Sequence, residues 1–273
     1  NIKIKYKIMA NEYQKINTLF MRDANNIIMP DKMTCPEFDY LKDCRWECTE
    51  KIDGTNIHID YLITQTFDDN ANVTGSGFEA NICGRTANAQ IPAHLEKKLA
   101  ELFWPDEDEQ FNQFSEKFNN TFAQAIEKFI INKEPTLRIS LYGEGYGVKI
   151  QKGGNYIKND VGFILFDVRV GDWWLTREAC EEIAQQLNIP IVPLIGYMTI
   201  PEAIEYVKKG FKSTIAENPD YDAEGLVLKT PYGLQFRNGQ RIITKIKTCD
   251  FQKYRQKYGD GPVEQIPNPN YKK

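Results

Sequence analysis

A chain of 273 residues with 41% hydrophobic content can bury one large core or two modest ones, and a formal charge of −4 argues against a protein that coats nucleic acid indiscriminately. No apolar run reaches membrane-spanning length and no secretory signal opens the chain, so a cytoplasmic protein is expected. Six scattered cysteines without a CxxC pair, and only His58 and His94 beside them, argue against a structural zinc site and for reduced thiols.

Met9-Ala10-Asn11-Glu12 looks like a natural start, so residues 1–8 are read as a tag or mis-assigned start. Trp46–Glu50 and Ile57–Tyr61 alternate large apolar with polar residues, which predicts two strands joined by a hairpin turn at Lys51-Ile52-Asp53-Gly54. The polar run Thr64–Gly77 reads as an exposed loop, and Ile82–Thr86 as a strand and turn. Helical periodicity follows over His94–Trp104 and Phe111–Ile131, where Phe111, Phe114, Phe118, Phe122 and Phe129 form a core stripe. Leu137–Tyr142, Phe163–Val170, Gly225–Lys229 and Ile242–Lys247 read as strands. Helices are expected over Thr176–Leu187, capped by Thr176, and over Pro201–Lys209. Strands in runs with helices between them predict an α+β protein of mainly antiparallel sheets flanked by helices. One domain is drawn over 9–251, followed by a basic, then Pro/Asn-rich tail over 252–273.

Lys51 carries the chemical interest. A lysine at a strand end, facing a pocket beside a glycine turn, is a candidate covalent nucleophile, provided its amine is kept neutral by burial or by nearby positive charge. From residues Glu50–Asn56 alone an exposed lysine in a hairpin turn fits equally well. Tyr142-Gly143-Glu144-Gly145 places a carboxylate between glycines at a strand end. Phe166-Asp167 sets an aromatic ring beside an acid, suited either to stacking a base or to filling the core. Glu224 precedes a buried strand that ends in Lys229, and Lys245 and Lys247 alternate onto one side of the last strand. Two lysines held side by side call for an anion. Neither GxGxxG nor a P-loop occurs. Between Arg237 and Lys257 the chain carries a local charge of +6 against −10 for the remainder, which suits a phosphate-binding face or a solvated basic helix end.

In this order, these pieces resemble the lysine-nucleotidyltransferase superfamily, and most closely the RNA ligase 2 family of phages and RNA-editing ligases. Lys51-Ile52-Asp53-Gly54-Thr55-Asn56 is similar to motif I, Tyr142-Gly143-Glu144 to motif III, Phe166-Asp167 to motif IIIa, Glu224-Gly225 through Lys229 to motif IV, and Lys245-Ile246-Lys247 to motif V. Gly145–Lys152, Arg237–Arg241, Tyr13–Phe20 and Gly84-Arg85-Thr86 extend the likeness over residues 13–251. The resemblance implies a nucleotidyltransferase (ATP-grasp-like ligase) domain and a phage-like origin. It implies three transfers: adenylylation of Lys51, passage of AMP to an RNA 5'-phosphate, and attack by a 3'-hydroxyl. It assigns phosphate binding to Lys245 and Lys247, ribose contacts to Glu144 and Arg85, stacking on adenine to Phe166, and the adenine amino group to Glu50. Asn56 and Lys229 complete the nucleotide contacts; Mg2+ or Mn2+ is assigned to Glu224 and, more weakly, to Asp167.

Only 26 residues follow Lys247, too few for the OB-fold of DNA ligases or the helical domain of the phage prototype. RNA is then expected to be held by this domain, by the basic stretch 237–257 or by an accessory RNA-binding protein. A DNA or mixed-substrate nick ligase and a catalytically silent nucleotide or RNA-binding module are the rival readings.

Overall fold

The structure, a computed structural model, describes residues 12–86, 89–151 and 156–259. The expected start segment 1–8 and the end of the tail, 260–273, lie outside these residues. In chain order the elements are β1 (Asn17–Thr18), β2 (Phe20–Arg22), β3 (Ile28–Met33), α1 (Pro36–Tyr40), β4 (Trp46–Glu50), β5 (Thr55–Phe67), β6 (Val73–Gly84), α2 (Ala93–Phe103), α3 (Asp108–Thr121) and α4 (Ala123–Ile131). They continue with β7 (Thr136–Gly147), β8 (Val161–Val170), β9 (Trp173–Trp174), α5 (Arg177–Leu187), β10 (Leu194–Met198), α6 (Ile200–Lys209), β11 (Gly225–Lys229), β12 (Ile243–Lys247) and α7 (Thr248–Tyr258). This is the α+β class, with antiparallel sheets flanked by helices. The single domain expected over 9–251 divides into two compact units. One holds Asp53–Ile191 with Tyr13, the other Gln14–Ile52 with residues 192–259.

In the first unit the sheet order is β6-β5-β7-β8-β9, antiparallel throughout. Ile57, Ile59 and Tyr61 on β5 and Ile139 and Leu141 on β7 project to one face, where they bury against Leu95, Leu99 and Phe103 of α2 and Phe118 of α3. The expected phenylalanine stripe is core: Phe118, Phe122 and Phe129 are buried and Phe114 packs against them. The helix expected over Phe111–Ile131 is interrupted at Phe122, whose backbone (φ −107, ψ 18) closes α3 and opens α4. Asn119, Asn120 and Thr121 are weak helix formers, and the Thr121 hydroxyl bonds back to the Lys117 carbonyl.

Two expectations fail here. The run Thr64–Gly77 is a hairpin rather than a loop. The paired ends of β5 and β6 flank a turn in which the Asp68 carboxylate accepts from the amides of Asn70 and Asn72. Thr66 and Thr74 meet hydroxyl to hydroxyl at 3.0 Å, so threonine supplies the strand propensity without an apolar alternation to betray it. Nor do the strands flanking Lys51 form a hairpin: β4 pairs with β11 and β10, whereas β5 pairs with β6 and β7. Gly54 sits at the change of sheet because a Cβ there would overlap the Gly145 carbonyl.

The second unit is built on a sheet of order β1-β12-β11-β4-β10, in which only β1 runs parallel to its neighbour. Trp46, Cys48, Leu226, Leu228 and Ile246 form its apolar face, covered by Ile200, Ala203 and Val207 of α6 and Phe251 of α7. Thr199 and Glu202 form a reciprocal capping box at the start of α6. Helix α7 carries residues 248–258, seven of which were expected in the tail.

Candidate active site

The lysine-bearing face of the second unit follows from strand alternation. On β4, β11 and β12, one set of side chains enters the apolar core, and the other set, Glu47 and Thr49, Val227 and Lys229, Ile243, Lys245 and Lys247, projects from the opposite face. Register places Lys229 beside Glu47, Val227 beside Lys245 and Gly225 beside Lys247. Lys245 and Lys247 therefore share a face, as their spacing predicts.

Lys51 lies one residue past β4, where its amide still donates to the Gly225 carbonyl at 2.9 Å; the Thr248 amide donates to the Glu224 carbonyl at 2.9 Å. These bonds fix the backbones of Lys51 and Glu224, and of Thr248 next to Lys247, at one end of the sheet. Lys51 Nζ is 2.5 Å from Glu224 Oε2, and Lys247 Nζ is 2.6 Å from Glu224 Oε1. Gly225 makes this approach possible: its φ is +150, and a Cβ there would overlap the Ile246 carbonyl on the neighbouring strand. Burial pulls the Lys247 ammonium toward lower pKa. The hydrogen bond and charge of Glu224, with smaller help from Cys249 and Asp250, outweigh it, so the net shift is upward. Like-charge repulsion was expected around Lys51. Instead a carboxylate stands between Lys51 and Lys247.

Glu50 alternates to the other face and is 1% exposed. Its Oε1 accepts from the Ser213 hydroxyl at 2.5 Å, and its Oε2 from the Thr214 amide and hydroxyl, each at 3.1 Å. Sequence reasoning missed this cradle because Ser213 and Thr214 lie more than 160 residues away in an irregular segment with no motif around them.

The first unit holds the other expected site residues. Asn56 and Glu144 are direct cross-strand partners on β5 and β7. Both are half-buried, and the buried Asn56 Oδ1 has no hydrogen-bond partner among the described residues. Phe166 and Asp167 sit at an irregularity in β8, where Tyr142 pairs with Asp167 but Gly143 with Leu165. Phe166 is the extra residue, and such a bulge re-aims side chains. Its ring meets Tyr13 edge-on at 5.0 Å, and the buried Asp167 carboxylate accepts from the Tyr13 hydroxyl at 2.5 Å. Arg85 is exposed just beyond β6.

The seven basic residues of 237–257 do not make one phosphate face, because they span a loop, a strand and a helix. Arg241 is buried, Lys257 pairs with Asp23, and Arg255 bonds the Lys208 carbonyl, whereas Lys245 and Lys247 belong to the sheet face. Among the described residues no three His, Cys, Asp or Glu side chains are grouped to hold a metal ion. Glu224 offers a single accessible carboxylate, both oxygens of which hold ammonium groups. That donor set fits an ion carried largely by phosphates and water, the coordination Mg2+ prefers, and not a protein cage. Asp167, buried under Tyr13, suits the role less.

No helix among the described residues is long and apolar enough to cross a membrane. None of the curated proteins matches the chain. Among solved structures, the chain is similar to a Naegleria gruberi RNA ligase with PPi (18% identity, 91% of this chain and 64% of that one, TM-score 0.47). It is also similar to an apo mutant of that ligase (18%, 88% and 63%, TM-score 0.48) and to a mutant with ATP and Mn (18%, 89% and 63%, TM-score 0.46). The chain thus spans just under two thirds of the length of these structures. The family model described as RNA ligase matches residues 45–247, running from the strand before Lys51 to Lys247 itself, and the chain belongs to the RNA ligase family.

Proposed function

We propose that this chain seals RNA 3'-hydroxyl and 5'-phosphate ends at the expense of ATP, through AMP carried covalently on Lys51. The observation that carries the reading is the Lys51–Glu224–Lys247 cluster: a candidate nucleophile, a proton acceptor and a second cation within 2.6 Å contacts at one sheet end. Membership of the RNA ligase family supports it.

In the first step the Lys51 amine attacks the α-phosphorus of ATP; the N–P bond forms as the bond to pyrophosphate breaks. The proton leaving Nζ has an acceptor in Glu224, 2.5 Å away. Lys247, released from Glu224, and Lys245 beside it neutralise the phosphate oxygens. In the second step an oxygen of the RNA 5'-phosphate attacks the same phosphorus and Lys51 leaves. In the third the 3'-hydroxyl attacks the RNA 5'-phosphorus and AMP departs. A divalent ion, Mg2+ or Mn2+, supplies charge neutralisation for the departing pyrophosphate, and Glu224 is the side chain that would hold it, directly or through water.

The remaining roles carry over from the resemblance. Glu144 and Arg85 take the ribose, Phe166 the adenine face, and Asn56 and Lys229 the rest of the nucleotide; the adenine amino group, which the resemblance gives to Glu50, requires that carboxylate to leave its Ser213–Thr214 cradle. The test is end joining: a nicked or single-stranded RNA with 3'-hydroxyl and 5'-phosphate ends is joined in the presence of ATP and Mg2+. Failure to join RNA on a panel of such ends, with protein that is folded and nucleotide present, contradicts the proposal.

A further inference from the structure

Between β11 and β12 the chain makes an excursion, residues 230–242, anchored to the core by Phe236 and Ile242 while residues 232–235 and 237–240 stay exposed. Tyr232 in this excursion is 101% exposed. A single exposed aromatic is ordinary, but its backbone is not: φ 61 and ψ 15 place it in the left-handed region, which a tyrosine adopts only when held there. The restraint is visible. The Thr230 amide donates to the Ile242 carbonyl, the Ile242 amide donates to Leu234, and the Gly233 amide closes a turn onto Thr230. Hydrogen bonds on both sides of Tyr232 thus hold its ring out in solvent, with the half-exposed Leu234 following it.

The surroundings select the partner. Of the basic residues between Gly225 and Cys249, Arg241 is buried and Lys247 is held by Glu224, whereas Arg237, on the excursion itself, is exposed, and residues 230–242 contain no acid. Arg237 and Asn238 form the exposed tip of the same excursion, closed by the Gly239 amide on the Phe236 carbonyl and the Phe236 amide on Gln240. An exposed arginine on an acid-free excursion suits a backbone phosphate, and an outward ring offers a base a face to stack on. We propose that Tyr232 is a stacking platform for an unpaired base of the RNA substrate, with Arg237 meeting the adjoining backbone phosphate. This deepens the RNA ligase reading and rests on it for the identity of the polynucleotide.

The test measures binding of a 5'-phosphorylated single-stranded RNA by fluorescence anisotropy without ATP, alongside AMP labelling of the protein. Tyr232→Ala is expected to weaken RNA binding about 5- to 150-fold, the range for loss of one base–aromatic stack, and to leave AMP labelling unchanged. Tyr232→Phe is expected to bind within about twofold of the parent, since stacking needs only the ring. Tyr232→Gly, which relieves the backbone, is expected to keep the parent melting temperature while losing affinity like the alanine variant. Parent-like binding by Tyr232→Ala overturns the inference, as does a loss in Tyr232→Phe equal to that in Tyr232→Ala. Because binding is read without ATP, it decides this inference separately from AMP labelling, whose failure in the parent would strike the ligase reading instead.

Discussion

The Glu224 bridge makes a quantitative prediction through a double-mutant cycle with Lys247. Glu224→Gln, Lys247→Met and the double variant are compared with the parent. The pair is separated by 2.6 Å, and the side chains are 14% and 29% exposed. Exposed pairs contribute about 0.2–1 kcal/mol, and breaking a fully buried pair costs about 3–5 kcal/mol. A hydrogen-bonded pair with this partial exposure is expected to couple by about 1–2 kcal/mol. Glu224→Gln alone is expected to cost more than Lys247→Met, because it also removes the partner of Lys51. Urea unfolding followed through Trp46, fully buried in the same unit, reads the cycle. The pH dependence has a definite sign. The Lys247 pKa is raised by folding, so its contribution is complete below the ordinary lysine value of 10.5 and is lost as pH rises through the folded value. A coupling below about 0.3 kcal/mol at pH 7, the level of independent sites, would refute the bridge.

Ser213→Ala removes one of three hydrogen bonds to the buried Glu50 carboxylate and is expected to cost about 1.5–3 kcal/mol, measured by urea unfolding; a change below about 0.5 kcal/mol would show the cradle to be dispensable. His58 is fully buried, its ring nitrogens have no hydrogen-bond partner among the described residues, and Nε2 lies 3.6 Å from Asp60. Burial lowers its pKa more than Asp60 and Glu12 raise it, while Arg138 adds to the lowering. Its neutral form stabilises the fold above the unfolded value of about 6.5, and that stability is lost as pH falls toward the folded value. Urea midpoints at pH 7.5 and 5.5 are expected to fall more in the parent than in His58→Gln; an equal fall would assign the acid sensitivity elsewhere.

Much of the fold was legible because period-two alternation marks strands with one buried face. Trp46 and Cys48 on β4, Leu226 and Leu228 on β11, and Ile246 on β12 announce themselves this way. The β5–β6 hairpin was hidden because its distal half is largely exposed or half-buried, with Gln65 its buried member, and carries threonine and glycine instead of an apolar stripe. The change of sheet after Lys51 was hidden for another reason: alternation on either side of a turn is the same whether the strands pair or part. Strand periodicity put Lys245 and Lys247 on one face, but the bridge from Glu224 to Lys51 depends on pairing across 173 residues. No local pattern encodes it. Gly225 was the available signal, since a glycine at the head of a buried strand marks a close backbone approach. The +6 stretch misled because proximity in sequence was read as proximity in space.

The central claim, that Lys51 carries AMP, is tested most directly by incubating parent and Lys51→Ala proteins with ATP labelled at the α-phosphate and Mg2+, followed by denaturing electrophoresis. The parent is predicted to retain covalent label and Lys51→Ala to retain none. Label on the Lys51→Ala protein, or a folded parent that takes up none, would contradict the account.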